Sequence, residues 1–288
     1  MISKERENNM YYALNPATAG AGLPLRDFCR LAGEAGFKGV EFSIAEANMI
    51  LEQESLDSLV EIFESNGVLP ACFGIPIDWR NDESVWKDGL KILPKLSEAA
   101  LKLGCKRTCT YILPSSEIPF EENWEFHVNR LRPIGKIFSD YGISMGLEFV
   151  GPKTMRTGSH DFIYTLEDAL ELSGECYGAG VLLDSFHWFT TQLDPKDILD
   201  LNANQIVHVH INDAPDMPID EQMDSVRLLP GEGIIDLEGF LQALREINYK
   251  GPVAVETFDE NLRQMTPEKA AKKAFDAVDR VWNLAKLK

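Results

Sequence analysis

Four ionisable residues stand at the ends of short apolar runs in the second half of the sequence. The runs MGL, VLL, VHV and VAV precede Glu148, Asp184, His210 and Glu256, respectively, and successive members lie about one strand–helix unit apart. Three carboxylates placed close together repel one another unless they are protonated or bridged by a cation. One imidazole and three carboxylates form an oxygen-rich set that suits Mn²⁺, Mg²⁺, Co²⁺ or Zn²⁺, with Mn²⁺ favoured. The four residues therefore predict a site for one divalent metal ion.

Each of the four residues also has a simpler interpretation. A Glu or Asp at the end of a strand is commonly a helix cap or a solvated loop residue, and His210 could be a hydrogen-bonded histidine of the core. His208 lies two residues before His210, so in a regular strand both side chains point to the same face and His208 competes for the ligand role. The shared metal site is favoured because four successive strands each supply a ligand-type residue at a matching depth.

The elements that must position these residues alternate along the chain as strands and helices. Short runs rich in β-branched and aromatic residues predict eight strands. These strands are Tyr11–Leu14, Gly39–Ser43, Val68–Phe73, Thr108–Leu113, Ser144–Phe149, Val181–Asp184, Ile206–Ile211 and Val253–Thr257. Apolar residues at helical spacing fill the stretches between them. The predicted helices are Leu25–Ala35, Leu56–Ser65, Leu90–Leu103, Asn123–Tyr141, Thr165–Leu172, Asp197–Leu201, Leu237–Ile247 and Thr266–Ala285.

Eight strands separated by helices predict a parallel sheet closed into a single (β/α)8 TIM barrel of the α/β class, whose chemistry lies at the C-terminal ends of the strands. An open doubly wound sheet is the alternative. The Gly-rich segment Asn15–Gly22 lacks the full G-x-G-x-x-G pattern of dinucleotide-binding sheets, which disfavours that alternative. We predict that residues 1–9 form a disordered tail or an extension upstream of a start at Met10, and that residues 10–288 form one catalytic domain.

Several segments in combination carry a family resemblance. They are LEF around Glu148, LDSFHW around Asp184, HVHIND around His210, RLLPGEGIID from Arg227, and GPVAVE up to Glu256. Over roughly Met10 to Ala285 the chain resembles the xylose isomerase-like TIM-barrel superfamily of sugar phosphate isomerases and epimerases. Within that superfamily it is most similar to inosose isomerases, which interconvert ketone positions on an inositol ring.

The resemblance implies that Glu148, Asp184, His210 and Glu256 hold one divalent metal ion. Such an ion polarises a ketone and its neighbouring hydroxyl on a sugar or cyclitol ketone, which is the small-molecule substrate class that the resemblance implies. Our hypothesis makes Glu148 and Glu256 the catalytic acid–base pair, which moves the carbonyl through a cis-enediolate. The sequence leaves open which of the two glutamates acts first.

The resemblance also implies that His187 and Arg227 bind substrate oxygens. His187 lies three residues after the aspartate of strand six, so it can reach the same end of the barrel and hold a substrate hydroxyl or carry its proton. Arg227 would hold oxygens by a forked contact. A surface ion pair with Asp224 or Glu232 is the alternative for Arg227.

Other functions of the same fold are weighed against this hypothesis. Ketose 3-epimerases carry a further Glu shortly after the ligand of strand five, where Gly151–Thr157 has no acid, and apurinic endonucleases use extra histidines on strands three and four, which are absent here. A dehydratase of inosose or 3-dehydroshikimate shares the enediolate, and no residue separates it from an isomerase. A barrel that binds metal without catalysis is disfavoured by the presence of His187 and Arg227.

Composition and cysteine usage narrow the partners and the compartment. The 288 residues include 28 Lys+Arg and 46 Asp+Glu, for a net charge of −18, which disfavours nucleic-acid binding. No apolar run reaches the roughly 18–20 residues that cross a bilayer, and no signal peptide is apparent. The scattered cysteines, without a C-x-x-C pair, indicate the cytoplasm, and Cys72 and Cys109 are predicted core residues. The long loop 213–233 could be a lid or a contact in a homo-oligomer.

Overall fold

The structure is a computed structural model that describes residues 9–287, and its centre is a closed barrel of eight parallel strands. The strands are β1 Tyr11–Leu14, β2 Gly39–Glu41, β3 Leu69–Gly74, β4 Arg107–Ile112, β5 Ser144–Phe149, β6 Ala179–Asp184, β7 Ile206–Ile211 and β8 Pro252–Val255. Each strand pairs with its neighbours in chain order, and β8 closes the barrel against β1. The predicted (β/α)8 barrel is confirmed. The predicted tail, residues 1–9, lies outside the described residues except for Asn9.

Helices occupy the connections between the strands. They are α1 Leu25–Ala35, α2 Ile44–Gln53, α3 Leu56–Glu64, α4 Glu83–Leu103, α5 Phe120–Asp140, α6 Leu166–Gly174, α7 Ser185–Thr190, α8 Pro195–Leu199, α9 Leu237–Glu246, α10 Glu260–Arg263 and α11 Pro267–Leu284. The sequence did not predict α2, α7 or α10. It also placed the start of α4 at Leu90, because the first turns of that helix are mostly exposed and lack an apolar stripe.

The apolar core has one large part and two small clusters, one of which joins Ala13, Ala71 and Ala254. The larger part lies between the strands and the surrounding helices, where residues such as Phe73 and Phe138 pack with their ring centroids 6.0 Å apart. The other small cluster joins Cys72, Cys109 and Leu182. These three residues come from β3, β4 and β6, which are not all neighbours, so the cluster lies inside the barrel. All five cysteines are free and buried, which confirms Cys72 and Cys109 as core residues.

The C-terminal end of the barrel is surrounded by loops and by short helices such as α7 and α10. A two-stranded antiparallel ribbon, Ser115–Ser116 with His160–Asp161, joins the loops that follow β4 and β5. The long connection after β7 contains only short 3-10 turns. This end of the barrel therefore has irregular walls that can shape a cavity. No helix within residues 9–287 is long and apolar enough to cross a membrane.

Candidate metal centre

The structure brings Glu148, Asp184, His210 and Glu256 together at the C-terminal end of the barrel. One potential ligand atom from each residue lies within 4.8 Å of the others. The Nδ1 atom of His210 is 3.2 Å from Glu256 Oε2, 3.5 Å from Glu148 Oε1 and 3.8 Å from Asp184 Oδ2. Glu148, Asp184 and His210 are buried, and Glu256 is partly buried. The strand register explains this convergence, because Asp184 on β6 stands beside His210 on β7.

Asp184 has two structural roles at once. Its Oδ1 accepts hydrogen bonds from the backbone N–H groups of Phe186 (2.7 Å) and His187 (3.1 Å), which makes it the N-cap of α7. Its Oδ2 accepts from Asn212 Nδ2 at 2.8 Å and from Arg227 Nη1 at 3.0 Å. The cap leaves Oδ2 pointing into the carboxylate cluster. The helix-cap interpretation and the ligand interpretation of Asp184 are therefore compatible.

Glu41, which the sequence analysis did not select, lies beside the cluster in β2. Its Oε1 atom is 2.9 Å from His210 Nε2 and 3.0 Å from His208 Nε2, and both rings are buried. Its Oε2 accepts from Asn15 Nδ2 at 3.1 Å, and the same nitrogen donates to Glu256 Oε1 at 3.0 Å. His208 thus points to Glu41 and away from the four-residue cluster. Of the two histidines, His210 is the one that the structure brings to the four carboxylate and imidazole ligand atoms of the cluster.

Arg227 extends into the same cluster from the long loop after β7. Its Nη1 donates to Asp184 Oδ2 (3.0 Å) and Glu256 Oε2 (2.8 Å), and its Nη2 lies 3.0 Å from His187 Nε2. It also pairs with Asp224, as one alternative expected, but Arg227 is only 3% exposed, so this is not a surface ion pair. The structure therefore brings both predicted substrate-binding residues to the carboxylates.

The charges of the cluster shift the pKa values of its members in opposite directions. Burial alone would lower the pKa of His210, but the carboxylates of Glu256 and Glu41 outweigh burial and hold that pKa well above its usual range. Burial raises the pKa of Glu148, and the charge of Glu256 adds to that effect. For Glu256, burial would also raise the pKa, but the attraction of His210 and Arg227 lowers it. The two glutamates thus differ, with Glu148 the easier one to protonate.

Two buried atoms in the cluster indicate that its residues fit a metal ion. Within residues 9–287, neither His210 Nδ1 nor Glu148 Oε1 has a hydrogen-bond partner of good geometry. Because His210 Nε2 faces Glu41 as a donor, Nδ1 is the nitrogen that faces the carboxylate oxygens. In the neutral ring that nitrogen carries a lone pair, and the raised pKa of His210 reflects how strongly the carboxylates attract a proton to it. Lone pairs that face one another in a buried site are stabilised by a proton or a cation between them. Imidazole nitrogen with carboxylate oxygens is also a donor set used by divalent metals.

A cavity of 790 Å³ opens beside Arg227 and provides room for a small substrate. Its walls include Thr154, Met155, Met223 and Phe258. The loop after β5 is tied to the loop after β7, because Thr154 Oγ1 donates to the carbonyl oxygen of Gln222 at 2.7 Å. The cavity is therefore lined by two loops that are joined to each other, and Arg227 connects its wall to the candidate metal ligands.

Asp213 fixes both ends of the loop that carries Arg227. Its Oδ2 accepts from the N–H groups of Gly231 and Gly233, each at 2.9 Å, and its Oδ1 accepts from Ile235 N at 2.9 Å. A side chain at Gly233 would place its Cβ 2.1 Å from the carbonyl oxygen of Ala214, so only glycine allows this approach. We call this set of hydrogen bonds the Asp213 anchor. It positions the backbone next to Arg227.

Comparison with known proteins places this arrangement in context. The chain is 26% identical over 275 residues to an inosose isomerase of Bacillus velezensis, covering 94% of this chain and 97% of that protein. It is 31% identical over 251 residues to a 3-dehydroshikimate dehydratase of Pseudomonas putida, covering 86% of this chain but 38% of that longer protein. The solved structure of IolI protein, which holds a zinc atom, matches with a TM-score of 0.78 and 27% identity, over 97% of this chain and 99% of that one.

The model of one protein family spans most of the chain. The Xylose isomerase-like TIM barrel family matches residues 29–281, which include all four residues of the cluster. The match agrees with the barrel topology and with the resemblance carried by the segments around the strand ends. The chain belongs to the Xylose isomerase-like TIM barrel family.

Proposed function

We propose that this protein is a divalent-metal-dependent isomerase or epimerase of sugar or cyclitol ketones, with an inosose-type substrate favoured. The observation that carries the proposal is the meeting of one imidazole nitrogen and three carboxylates within 4.8 Å, beside a cavity that admits a small molecule. Similarity to inosose isomerases over nearly the whole chain supports the substrate class. The zinc atom of the similar IolI protein supports a metal requirement.

Glu148, Asp184, His210 and Glu256 would hold the metal through His210 Nδ1 and carboxylate oxygens. When bound, a divalent ion supplies Lewis-acid polarisation of a ketone and an adjacent hydroxyl. Mn²⁺ is the ion we favour, because three of the four donors are carboxylates, and Zn²⁺, Co²⁺ and Mg²⁺ are the alternatives.

Glu148 and Glu256 act as the acid–base pair in this proposal. A carboxylate takes the proton from the hydroxyl-bearing carbon beside the ketone and becomes a carboxylic acid, and a cis-enediolate forms. The partner delivers a proton to the former carbonyl carbon, so that the carbonyl has moved by one position. In the metal-free protein the pKa of Glu148 is raised and that of Glu256 is lowered, so the two carboxyl groups differ in their affinity for a proton, which supports different roles for them.

In this proposal His187 and Arg227 bind the substrate oxygens. His187 Nε2 lies 3.9 Å from Glu148 Oε1 and 3.0 Å from Arg227 Nη2, so it is close to one member of the acid–base pair and to the arginine that lines the cavity. It would move the hydroxyl proton from one oxygen of the enediolate to the other. Arg227, held by carboxylates on both of its terminal nitrogens, would orient the oxygens of the substrate without moving itself.

A dehydratase is the second candidate, because the chain shares 31% identity with the 3-dehydroshikimate dehydratase. If the carbon next to the enediolate carries a hydroxyl group, the enediolate can lose that group as water instead of taking a proton back.

A charge of −18 and the five free cysteines support a cytoplasmic enzyme that acts on small molecules rather than on nucleic acid.

Proton NMR in D2O with metal-loaded protein tests the proposal. The substrates are inososes, ketoses and 3-dehydroshikimate. We expect deuterium beside a ketone together with a migrated carbonyl, or with inverted configuration for an epimerase. Loss of a hydroxyl and a conjugated product would establish the dehydratase instead. Metal bound without exchange in any of these compounds would contradict catalysis on them.

The variant Glu256→Gln tests the assignment of the acid–base pair. It should reduce turnover by about 100- to 10,000-fold while preserving the melting temperature, because it removes a proton acceptor but keeps the shape of the side chain. Glu125→Gln on the exposed face of α5 is the matched control and should keep full activity. Full activity of Glu256→Gln would contradict the assignment of Glu256 to the acid–base pair.

A further inference from the structure

We propose that Glu41 is a positioning residue of the metal centre, which fixes the ring of His210 directly and the carboxylate of Glu256 through Asn15. This inference rests on the metal centre of the proposed function, because it concerns how two of its ligands are held. Nothing in the sequence pattern of the ligands includes Glu41 or Asn15. Asn15 follows β1 and Glu41 lies in β2, whereas the four ligands follow or end β5 to β8 in the second half of the chain.

The contact with His210 determines which nitrogen of the ring faces the carboxylates. Glu41 Oε1 lies 2.9 Å from His210 Nε2, on the far side of the ring from Glu148, Asp184 and Glu256. Glu41 is only 7% exposed, so water cannot readily replace the histidine as its donor. A rotation of the ring by half a turn would place a carbon atom against a buried carboxylate. Glu41 therefore keeps Nε2 as the donor and leaves Nδ1 for the metal, as outer partners of metal-bound histidines do.

His208 is the second histidine that contacts Oε1 of Glu41. Its Nε2 lies 3.0 Å from Glu41 Oε1, and its ring is fully buried. One carboxylate oxygen that accepts from two rings requires both rings to carry a hydrogen on Nε2. The buried Nδ1 of His208 has no hydrogen-bond partner among the described residues. His208 thus holds Glu41 in place rather than serving as a ligand of the four-residue centre.

Asn15 extends the same arrangement to a second ligand. Its Nδ2 group donates one hydrogen bond to Glu41 Oε2 at 3.1 Å and one to Glu256 Oε1 at 3.0 Å. Its Oδ1 accepts from Ala17 N at 2.7 Å, which fixes which end of the amide is the donor. Glu256 Oε1 is therefore occupied, and Oε2 is the oxygen that faces His210 Nδ1.

A second metal ion between Glu41, His208 and His210 is the rival interpretation, because one atom from each residue also lies within 4.8 Å of the others. The observed contacts disfavour it. Each Glu41–histidine distance is that of a hydrogen bond, whereas His210 Nδ1 lies 3.2–3.8 Å from the carboxylate oxygens of the four-residue cluster. A nitrogen that donates to Glu41 cannot at the same time coordinate an ion. We therefore expect one metal ion per chain.

Zinc binding measured against a chromophoric chelator tests the proposal without any substrate. The wild type, Glu41→Gln and Glu41→Ala are compared, with Glu61→Gln on the exposed face of α3 as the matched control. We expect both Glu41 variants to bind zinc about 10- to 100-fold more weakly than the wild type, as for other outer-shell partners, and the control to bind normally. Melting temperatures, recorded by circular dichroism, separate weak binding from loss of the fold.

Nitrogen-15 NMR of the zinc-loaded protein supplies a readout that a purely structural role would not change. The wild type should show His208 and His210 with the hydrogen on Nε2, protected from exchange. The Glu41→Ala variant should lose that protection on both rings. Unchanged zinc affinity with unchanged imidazole signals, or two zinc ions per wild-type chain, would overturn the proposal. Absence of zinc binding by the wild type would instead overturn the metal centre itself, and this inference with it.

Discussion

Strands β5 to β8 and strands β3 to β4 belong to the same repeated strand–helix unit but carry different kinds of buried side chain. The first group, which we call the ligand arc, brings buried charged groups such as Asp184 and His210 together. The second group, the apolar arc, carries Phe73 among other phenylalanine rings and the Cys72–Cys109 pair, whose sulfurs are 3.6 Å apart. The residues of the candidate metal centre and the apolar residues that stabilise the fold therefore lie on different strands of the barrel. Substitutions in the two arcs should therefore affect different measurements.

The largest effect is expected in the ligand arc, for Asp184→Asn. The amide can still cap α7 with its oxygen, but it removes a negative charge that faces His210 Nδ1 and Arg227. We expect zinc affinity to fall by at least about 1,000-fold, beyond the effect typical of outer-shell partners. Competition with a chelator measures this change. Zinc affinity within a factor of three of the wild type would show that Asp184 is a cap only.

Phe73→Ala is the counterpart in the apolar arc. Phe73 is 1% exposed and contacts the rings of Phe42 and Phe138 at centroid distances of 6.0 Å. Removal of a buried aromatic ring should lower the free energy of unfolding by about 3–5 kcal/mol. Urea denaturation measures the loss, and zinc affinity of the folded variant should stay that of the wild type. A parallel loss of zinc affinity would mean that the two arcs are mechanically coupled.

Acid sensitivity should sharpen the comparison, because His127 lies behind the apolar arc. Its ring packs 5.3 Å from that of Trp79, and burial lowers its pKa from 6.5 to about 4. Between these two pH values the unfolded chain binds a proton that the folded chain does not, so the free energy of unfolding falls as the pH is lowered. The loss should reach about 3 kcal/mol at pH 4.

Urea denaturation of the wild type and of His127→Gln across this pH range measures that contribution. The variant has no group that titrates at this position, so its free energy of unfolding should depend less steeply on pH. Equal slopes for the two proteins would show that His127 titrates alike in both states.

The smallest effect is expected for Glu148→Gln in metal-free protein, and it should have the opposite sign from most core substitutions. Burial, followed by the charge of Glu256, raises the pKa of Glu148, so the ionised form costs stability above its usual pKa. Removal of that charge should raise the free energy of unfolding at neutral pH. Saturating zinc should reverse the order of the two proteins. A variant that is less stable than the wild type without zinc would contradict this explanation.

The barrel could be predicted because each strand has its own local pattern. All eight predicted strands exist, and their ends agree to within two residues, as for Leu69–Gly74 against the predicted Val68–Phe73. Helix α2 was missed because its buried residues, Ile44, Ala47 and Asn48, form a weak apolar stripe. Its start could have been read from Ser43, whose side chain accepts from Glu46 N as an N-cap.

The convergence of four residues could also be predicted, because parallel strands of a barrel end at one face. Glu41 could not be assigned a partner in this way, since its contacts with His208 and His210 join distant strands across the barrel. Its position still gave a signal. It is the one acidic residue within the first four predicted strands, with Val40 and Phe42 on either side, and a lone acid in an apolar strand requires a buried donor.

The Asp213 anchor lets one part of the loop after β7 hold Arg227 in place while another part forms the outer wall of the cavity. The hydrogen bonds from Gly231, Gly233 and Ile235 close the loop at its base, beside Arg227, whatever residues stand further out. Residues such as Met223, which form the outer wall of the cavity, can therefore be exchanged without displacing the arginine. This construction favours evolutionary change: new substrate shapes can be accommodated in the loop by mutation, while the inherited reaction centre beneath it stays intact.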